Sequence, residues 1–320
     1  LPLLCLIKIR SLLILYKSIF QLNMKIYDCF MFFDEEMLLD LRLNIMNKYV
    51  DKFVITEATY MHSGAPKKLI FDINKFGKFK DKIIYNVVEQ QPLTLEKIND
   101  EDNLDIKGSK LINNSLKREN YQREMCKISL NDANEEDIIL INDIDEIPNL
   151  NEINFKNLKN KLVIFKQKTF YYKFNLHYEN LVWHGSKACK KKYLKSPQWL
   201  RNVRHRKYPI WRLDIFFSNK KYNNIQYVEN GGWHFTNIKS PENLEKKFLN
   251  FLHHQDYEAS GLNLKDIKEK VKNRKILYDL GVDQRDFKWG GLKTLKKVDI
   301  SEMPDYLSSN YKKYADWLEI

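Results

Sequence analysis

From Met24 onward the apolar positions fall into short blocks whose spacing switches between strand and helix periods. Lys25–Phe30, Lys52–Thr56, Lys82–Val88 and Asp137–Ile141 read as strands. Between them, Glu35–Lys48 carries Leu38, Leu41, Leu43 and Ile45 at helical spacing, and Ser115–Leu130 reads as a second helix. Strands alternating with helices predict an α/β layer built on a mostly parallel central sheet flanked by helices. The second half has a different texture. Leu162–Phe174 reads as one long strand, and Ile225–Thr236 as another interrupted at Gly231-Gly232. Pro241–His254 and Leu264–Leu280 read as amphipathic helices, the first opened by Ser240-Pro241-Glu242. No internal repeat or low-complexity linker divides the chain, so one compact unit is expected over residues 24–320.

Residues 1–23 are apolar but broken by Lys8, Arg10 and Lys17. Their charge-free run Ser11–Tyr16 falls far short of the roughly 20 residues a spanning helix needs. They read either as sequence upstream of a domain that starts at Met24, or as a weak anchor or surface helix. Cys5, Cys29, Cys126 and Cys189 form no C-x-x-C pair, which excludes an obvious zinc ribbon or redox motif. A disulfide scaffold is not expected in 320 residues, and a reducing compartment fits best. The expected location is cytoplasmic or peripheral at a membrane; a Golgi-type anchored protein is the alternative if residues 1–23 are a real anchor.

With 43% hydrophobic and 13% aromatic residues the chain is globular rather than disordered. Its formal charge of +12 fits a nucleic acid, an anionic membrane surface, an anionic substrate such as a nucleotide diphosphate, or a bias towards Lys, Asn and Ile. No RRM, zinc-finger or helix-turn-helix signature accompanies the charge, so no nucleic-acid partner is expected.

The densest chemistry lies at 138–148, Ile-Ile-Leu-Ile-Asn-Asp-Ile-Asp-Glu-Ile-Pro. Four apolar residues read as a strand buried on both faces, and Asp143, Asp145 and Glu146 crowd its end before Pro148. Like charges so close call for a counter-charge, and a divalent cation with oxygen ligands supplies one. The competing reading is a solvated acidic turn.

Three blocks together resemble glycosyltransferase family 17, the family of the bisecting β-1,4-N-acetylglucosaminyltransferase. The first is Tyr27-Asp28-Cys29-Phe30-Met31-Phe32-Phe33-Asp34-Glu35, continuing through Leu41-Arg42-Leu43 to the stretch from Phe53 to Gly64 that holds Glu57 and His62-Ser63-Gly64. The second joins Tyr121-Gln122-Arg123-Glu124 to Asn142-Asp143-Ile144-Asp145-Glu146-Ile147-Pro148. The third is Gly232-Trp233-His234-Phe235-Thr236, with Lys247 and His253 downstream and a similar tail from Met303-Pro304 to Leu318.

The resemblance implies a GT-A-type nucleotide-sugar transferase fold, a Mn²⁺ or Mg²⁺ ion, UDP-GlcNAc as donor, a glycan acceptor, and inversion to a β linkage. Residues 24–150 would be the nucleotide-binding half and 151–320 the acceptor side. Asp145 is the first choice for direct metal ligation. Asp143 would hold the ribose or a metal-bound water, with Glu146 assisting. His234 is a further metal ligand or a satisfied buried histidine. Phe30, Phe32, Glu57 and His62 are placed at the nucleotide sugar, with a capping role as the alternative for Glu57. Arg123 and Lys247 suit the diphosphate, although Arg123 equally suits a surface salt bridge to Glu119 or Glu124. Trp183, Trp199, Trp211 and Trp233 are candidates for stacking on an acceptor sugar, and core packing accounts for some of them equally well. The general base is open among Glu57, Glu179, Asp214 and Glu229. A nucleotidyltransferase or other metal-dependent transferase on a related fold is the alternative activity.

Overall fold

The computed structural model describes residues 24–319 apart from 210, 250–256, 258–259, 280, 282–287 and 290–292. The readings made of residues 1–23 and of His253 therefore lie outside the described residues. Strand β1 (Ile26–Met31) leads into helix α1 (Glu36–Met46), β2 (Lys52–Ala58), β3 (Ile83–Val88), helix α2 (Leu104–Glu124) and β4 (Ile138–Ile141). Strands β5 (Glu146–Pro148), β6 (Leu162–Phe165), β7 (Gln167–Tyr171), β8 (Leu176–Trp183) and β9 (Lys187–Lys190) follow. Helix α3 (Pro197–Asn202), strands β10 (Ile225–Val228) and β11 (Gly232–Thr236), helices α4 (Pro241–Leu249) and α5 (Leu264–Lys272), β12 (Lys296–Lys297) and α6 (Asp305–Ser309) complete the order.

The strands form a seven-stranded sheet, β10-β6-β9-β4-β1-β2-β3, and a five-stranded sheet, β12-β8-β7-β11-β5. The parallel pairing expected from the β-α-β pattern runs through β4-β1-β2-β3 and recurs between β6 and β10. Strand β9 runs antiparallel to both β4 and β6, so the sheet is mixed. The reversal is made in the smaller sheet: β7 and β8 pair antiparallel across the short link 172–175, so β9, which continues from β8, runs back against β6.

The two long strands expected in the second half each divide between the sheets. Strands β6 and β10 pair in parallel in the larger sheet, and their continuations β7 and β11 pair in parallel in the smaller one. The bend is tight because backbone meets backbone. Gly231 N donates to Lys166 O at 2.8 Å, and a Cβ on Gly231 would stand 2.4 Å from Lys166 N. Gly232 has φ of +116°, and a Cβ there would stand 2.2 Å from Ile147 O. Helix α2 starts well before the expected Ser115, with Asn103 accepting from Ile106 N at 2.9 Å as its cap. Its first turns expose Leu104 and Ile106, so no apolar stripe marked them. Helix α5 ends at Lys272, short of the expected Leu280, just before Arg274 at φ +53°.

Both faces of the larger sheet are covered. Phe30, Phe53, Ile55 and Leu140 pack beneath α1 with Leu39, Leu41 and Leu43. Tyr27, Cys29, Val54, Ile139 and Ile141 face the other way, against Leu130 and Leu200. This explains the nearly unbroken apolar runs in β1, β2 and β4.

One charged side chain sits within that core. Arg42 of α1 is fully buried and grips Asp28 of β1 with two bonds, Nε to Oδ2 at 2.8 Å and Nη2 to Oδ1 at 2.5 Å. Its remaining nitrogen donates to the carbonyls of Glu146 at 2.5 Å and Asp143 at 3.2 Å. Asn142 Nδ2 also donates to Asp28, at 2.6 Å. Arg42→Met should destabilise the chain by about 3–5 kcal/mol in urea denaturation, because Asp28 is left buried without its cation. The double variant with Asp28→Asn should lose less than Arg42→Met alone. Gly232→Ala should cost about 1–3 kcal/mol through its strained φ. Gly77→Ala, where a Cβ meets open space, should stay within about 0.5 kcal/mol in the same assay.

Candidate active site

Strand β1 has β2 and β3 on one side and β4 on the other, so successive connections leave its carboxyl end in opposite directions. Open α/β sheets bind ligands at such a switch point. Two segments meet there: Phe32–Glu35, running from β1 into α1, and the turn Asn142–Asp145, running from β4 into β5.

The three carboxylates of the acidic turn take different surroundings. Asp143 offers Oδ1 to Arg123 Nη2 at 3.0 Å and Oδ2 to Arg201 Nη2 at 2.5 Å. Glu146 is fully buried, and Oε2 accepts from Arg201 Nη1 at 2.7 Å and from Asp143 N at 2.9 Å. Its Oε1 accepts from Arg201 Nη2 at 2.8 Å and from the Trp183 indole at 2.5 Å. Burial pushes the Asp143 carboxyl up, but Arg201 and Arg123 outweigh it and hold the group well below the usual carboxylate range. Asp143 and Glu146 are thus bound as anions into a guanidinium pair. Lys187 fixes the same region from behind, donating to Val203 O at 2.6 Å and to Arg201 O. Burial beside Arg201 pushes its ammonium down to about 7.

Asp145 has no guanidinium partner among the described residues. Its Oδ2 stands 3.7 Å from His234 Nε2, and its carbonyl accepts from Phe235 N at 2.8 Å. The His234 ring lies stacked on Trp183 with centroids 4.4 Å apart, and Nδ1 is buried without a hydrogen-bond partner. Asp145 opens onto a cavity of about 480 Å³ whose walls include Glu35, Asn237, Lys239 and Lys247. Lys239 pairs with Asp34 at 2.8 Å, and Lys247 donates to Asn237 Oδ1 at 2.7 Å. Burial lowers the Lys247 pKa and Asp145 opposes that shift. Burial, followed by the neighbouring Asp34, raises the carboxyl of Glu35.

The other expected residues are placed elsewhere. Phe30 and Phe32 are core residues, the first beneath the Arg42 guanidinium, and neither lines the cavity. Glu57 is closed on itself: its oxygens accept from Ile70 N at 2.8 Å, Phe71 N at 3.1 Å, Tyr85 Oη at 2.8 Å and Lys67. It fastens the segment after β2 rather than facing solvent. His62 contacts Gln122 at 3.3 Å. Arg123 is buried rather than on the surface; it makes the salt bridge to Glu119 that was the alternative to a diphosphate role, at 2.9 Å, and a second to Asp143 at 3.0 Å.

Of the four tryptophans, Trp183 covers the site. Trp199 donates to Asn219 O at 2.8 Å, and Trp211 stands in the open. Trp233, on the other face of β11 from His234, donates to Glu302 O at 3.0 Å and borders a separate cavity of about 530 Å³ with Tyr49 and Tyr306. Like Glu57 with Lys67, the other candidate bases are ion-paired: Glu179 with Lys296, Asp214 with Arg212 and Lys221, and Glu229 with Lys166. Asp28, Arg42, Arg201, Glu35 and Lys239 were not anticipated. Asp28, Glu35 and Arg42 stood within the quoted blocks, while Arg201 was hidden in the basic stretch 183–212.

Among the described residues no three His, Cys, Asp or Glu side chains gather into a group able to hold a metal ion. None of the described helices is long and apolar enough to cross a membrane. No curated protein and no solved structure matches the chain. The family model of glycosyltransferase family 17 matches residues 15–318, nearly the whole length, and takes in both sheets and the acidic turn. The protein is a glycosyltransferase, and the chain belongs to glycosyltransferase family 17.

Proposed function

We propose that this glycosyltransferase is a metal-dependent, inverting enzyme of the GT-A type, moving GlcNAc from UDP-GlcNAc to a glycan hydroxyl in a β linkage. The observation that carries the reading is the meeting of Asp145 with His234 at the edge of a cavity bearing Lys239 and Lys247. The donor sugar follows from the likeness of the three sequence blocks to family 17.

Asp145 and His234 fit a divalent cation as two of its ligands. Their facing atoms are 3.7 Å apart, within the span of two bonds of roughly 2.1 Å each to one ion. An ion held by these two side chains would take its remaining ligands from substrate or solvent, since among the described residues no three His, Cys, Asp or Glu side chains form a metal-holding group. The bound Mn²⁺ or Mg²⁺ supplies charge neutralisation for the departing diphosphate. Lys247 and Lys239 add positive charge on the same wall. Asp143 and Glu146 act through position: tied to Arg123 and Arg201, they fix the turn that aims Asp145.

The base that takes the acceptor proton is assigned to Glu35. It lines the same cavity, and its raised pKa moves it towards the range in which a carboxylate is an effective base. As the proton leaves the acceptor hydroxyl, its oxygen bonds the anomeric carbon, and the bond from that carbon to the diphosphate breaks with its electrons. UDP-GlcNAc with Mn²⁺ at about 100 times its dissociation constant should stabilise the chain by about 2.7 kcal/mol, read as a rise in Tm. Asp145→Asn should abolish the rise; no shift with any UDP-sugar would count against the donor assignment. Glu35→Gln should keep the Tm rise yet lower kcat by about 10²–10⁴-fold. Since the base works deprotonated, the wild-type rate should fall as pH drops through the raised Glu35 pKa, and an acid limb that survives in Glu35→Gln would assign the base elsewhere.

A further inference from the structure

The loop that follows Arg201 is the most unusual surface of the molecule. Within seven residues it presents Trp211, Leu213, Phe216 and Phe217 to solvent, with 81%, 72%, 76% and 90% of their surfaces exposed. Soluble proteins seldom leave several large apolar side chains together in water without a partner to cover them. The base of the loop is closed: Arg204 N donates to Lys220 O at 2.8 Å and Tyr227 Oη to His205 O at 3.1 Å. A 3-10 turn over Leu213–Ile215 shapes its tip, where Phe216 N donates to Leu213 O at 3.1 Å. The apolar tip is therefore held out by an ordered stem.

The charge of the same loop identifies what covers it. Residues 204–221 hold Arg204, Arg206, Lys207, Arg212, Lys220 and Lys221 against a single acid, Asp214, which Arg212 and Lys221 already neutralise. A protein interface of this size would deplete charge at its core. A nucleic acid would use the cations, but it offers Leu213 and two adjacent phenylalanines little beyond stacking. Aromatic and aliphatic side chains that enter the headgroup boundary, ringed by Lys and Arg that meet lipid phosphates, match a membrane surface.

We infer that residues 204–221 form a docking loop for an anionic lipid bilayer, with Leu213, Phe216 and Phe217 entering the interface and the flanking cations meeting the headgroups. The loop begins three residues after Arg201, which holds Asp143 and Glu146, so docking brings the edge of the active site to the membrane. The inference does not depend on the donor, the metal or the base assigned above.

The test is co-sedimentation of the full chain with vesicles of phosphatidylcholine, with and without about 30% phosphatidylglycerol, across a salt series. The chain should partition at least roughly tenfold more strongly onto the anionic vesicles, and added salt should weaken the binding. Leu213→Ser/Phe216→Ser/Phe217→Ser should lose at least about tenfold in partitioning at an unchanged Tm, since these side chains are exposed. Arg206→Gln/Lys207→Gln/Lys220→Gln should bind several-fold more weakly with a flatter salt dependence. Three results would overturn the inference: wild-type chain left in the supernatant, serine variant binding that matches wild type, or a preference for single-stranded DNA over vesicles that the serine variant abolishes.

Discussion

The site depends on one buried guanidinium. Arg42 joins three parts of the chain that are far apart in sequence: its own helix, β1 through Asp28, and the acidic turn through the carbonyls of Asp143 and Glu146. A neutral side chain at this position would leave Asp28 ionised in the core, where an unpaired carboxylate is strongly disfavoured. The planar fork of arginine can grip a carboxylate with two nitrogens and still direct the third at backbone carbonyls; an ammonium has no such geometry. The turn after β4 is therefore set by the helix after β1, and the two segments flanking the switch point move as one.

A turn held in this way can separate neighbouring acids by function. Asp143 and Glu146 face Arg123 and Arg201, and each accepts at least two charge-assisted bonds. Asp145, between them, turns to the cavity and to His234. Register in the smaller sheet completes the arrangement, since β11 pairs with β5 so that His234 stands opposite Glu146. The glycine pair before β11 is what brings that strand close enough, because any side chain at Gly232 would collide with the Ile147 carbonyl.

Much of this was legible in the sequence, for identifiable reasons. The strands β1, β2 and β4 announce themselves because both their faces are buried, and the acidic turn stands out because it follows such a strand. The block from Gly232 to Thr236 was legible as a partner of that turn through its likeness to the family, and the structure sets His234 beside Asp145. Connections that depend on distant backbone were not legible. Nothing local to Leu162–Phe174 says that its two halves belong to different sheets, or that β9 returns antiparallel. Arg42 stood in the quoted Leu41-Arg42-Leu43 without a role, because burial of a charge is invisible until its partner is known. Glu57 shows the converse error: a carboxylate at a strand end suggests a ligand, yet here backbone amides and Lys67 occupy it.

The balance of charge sets what an anionic donor would meet in the proposed site. Asp28, Asp143 and Glu146 are matched by Arg42, Arg123 and Arg201, so the core network carries little field into the cavity. What reaches the cavity is local: its lining carries Asp34, Glu35, Glu36 and Asp145 together with Lys239 and Lys247. Lys239 is already shared with Asp34, and burial disfavours the charge on Lys247. Two lysines so placed do not by themselves neutralise a diphosphate, whereas a cation held at Asp145 and His234 would add the missing charge where the bond to the leaving group breaks. The same reasoning separates this local positive charge from the cations of the 204–221 loop, none of which lines the cavity.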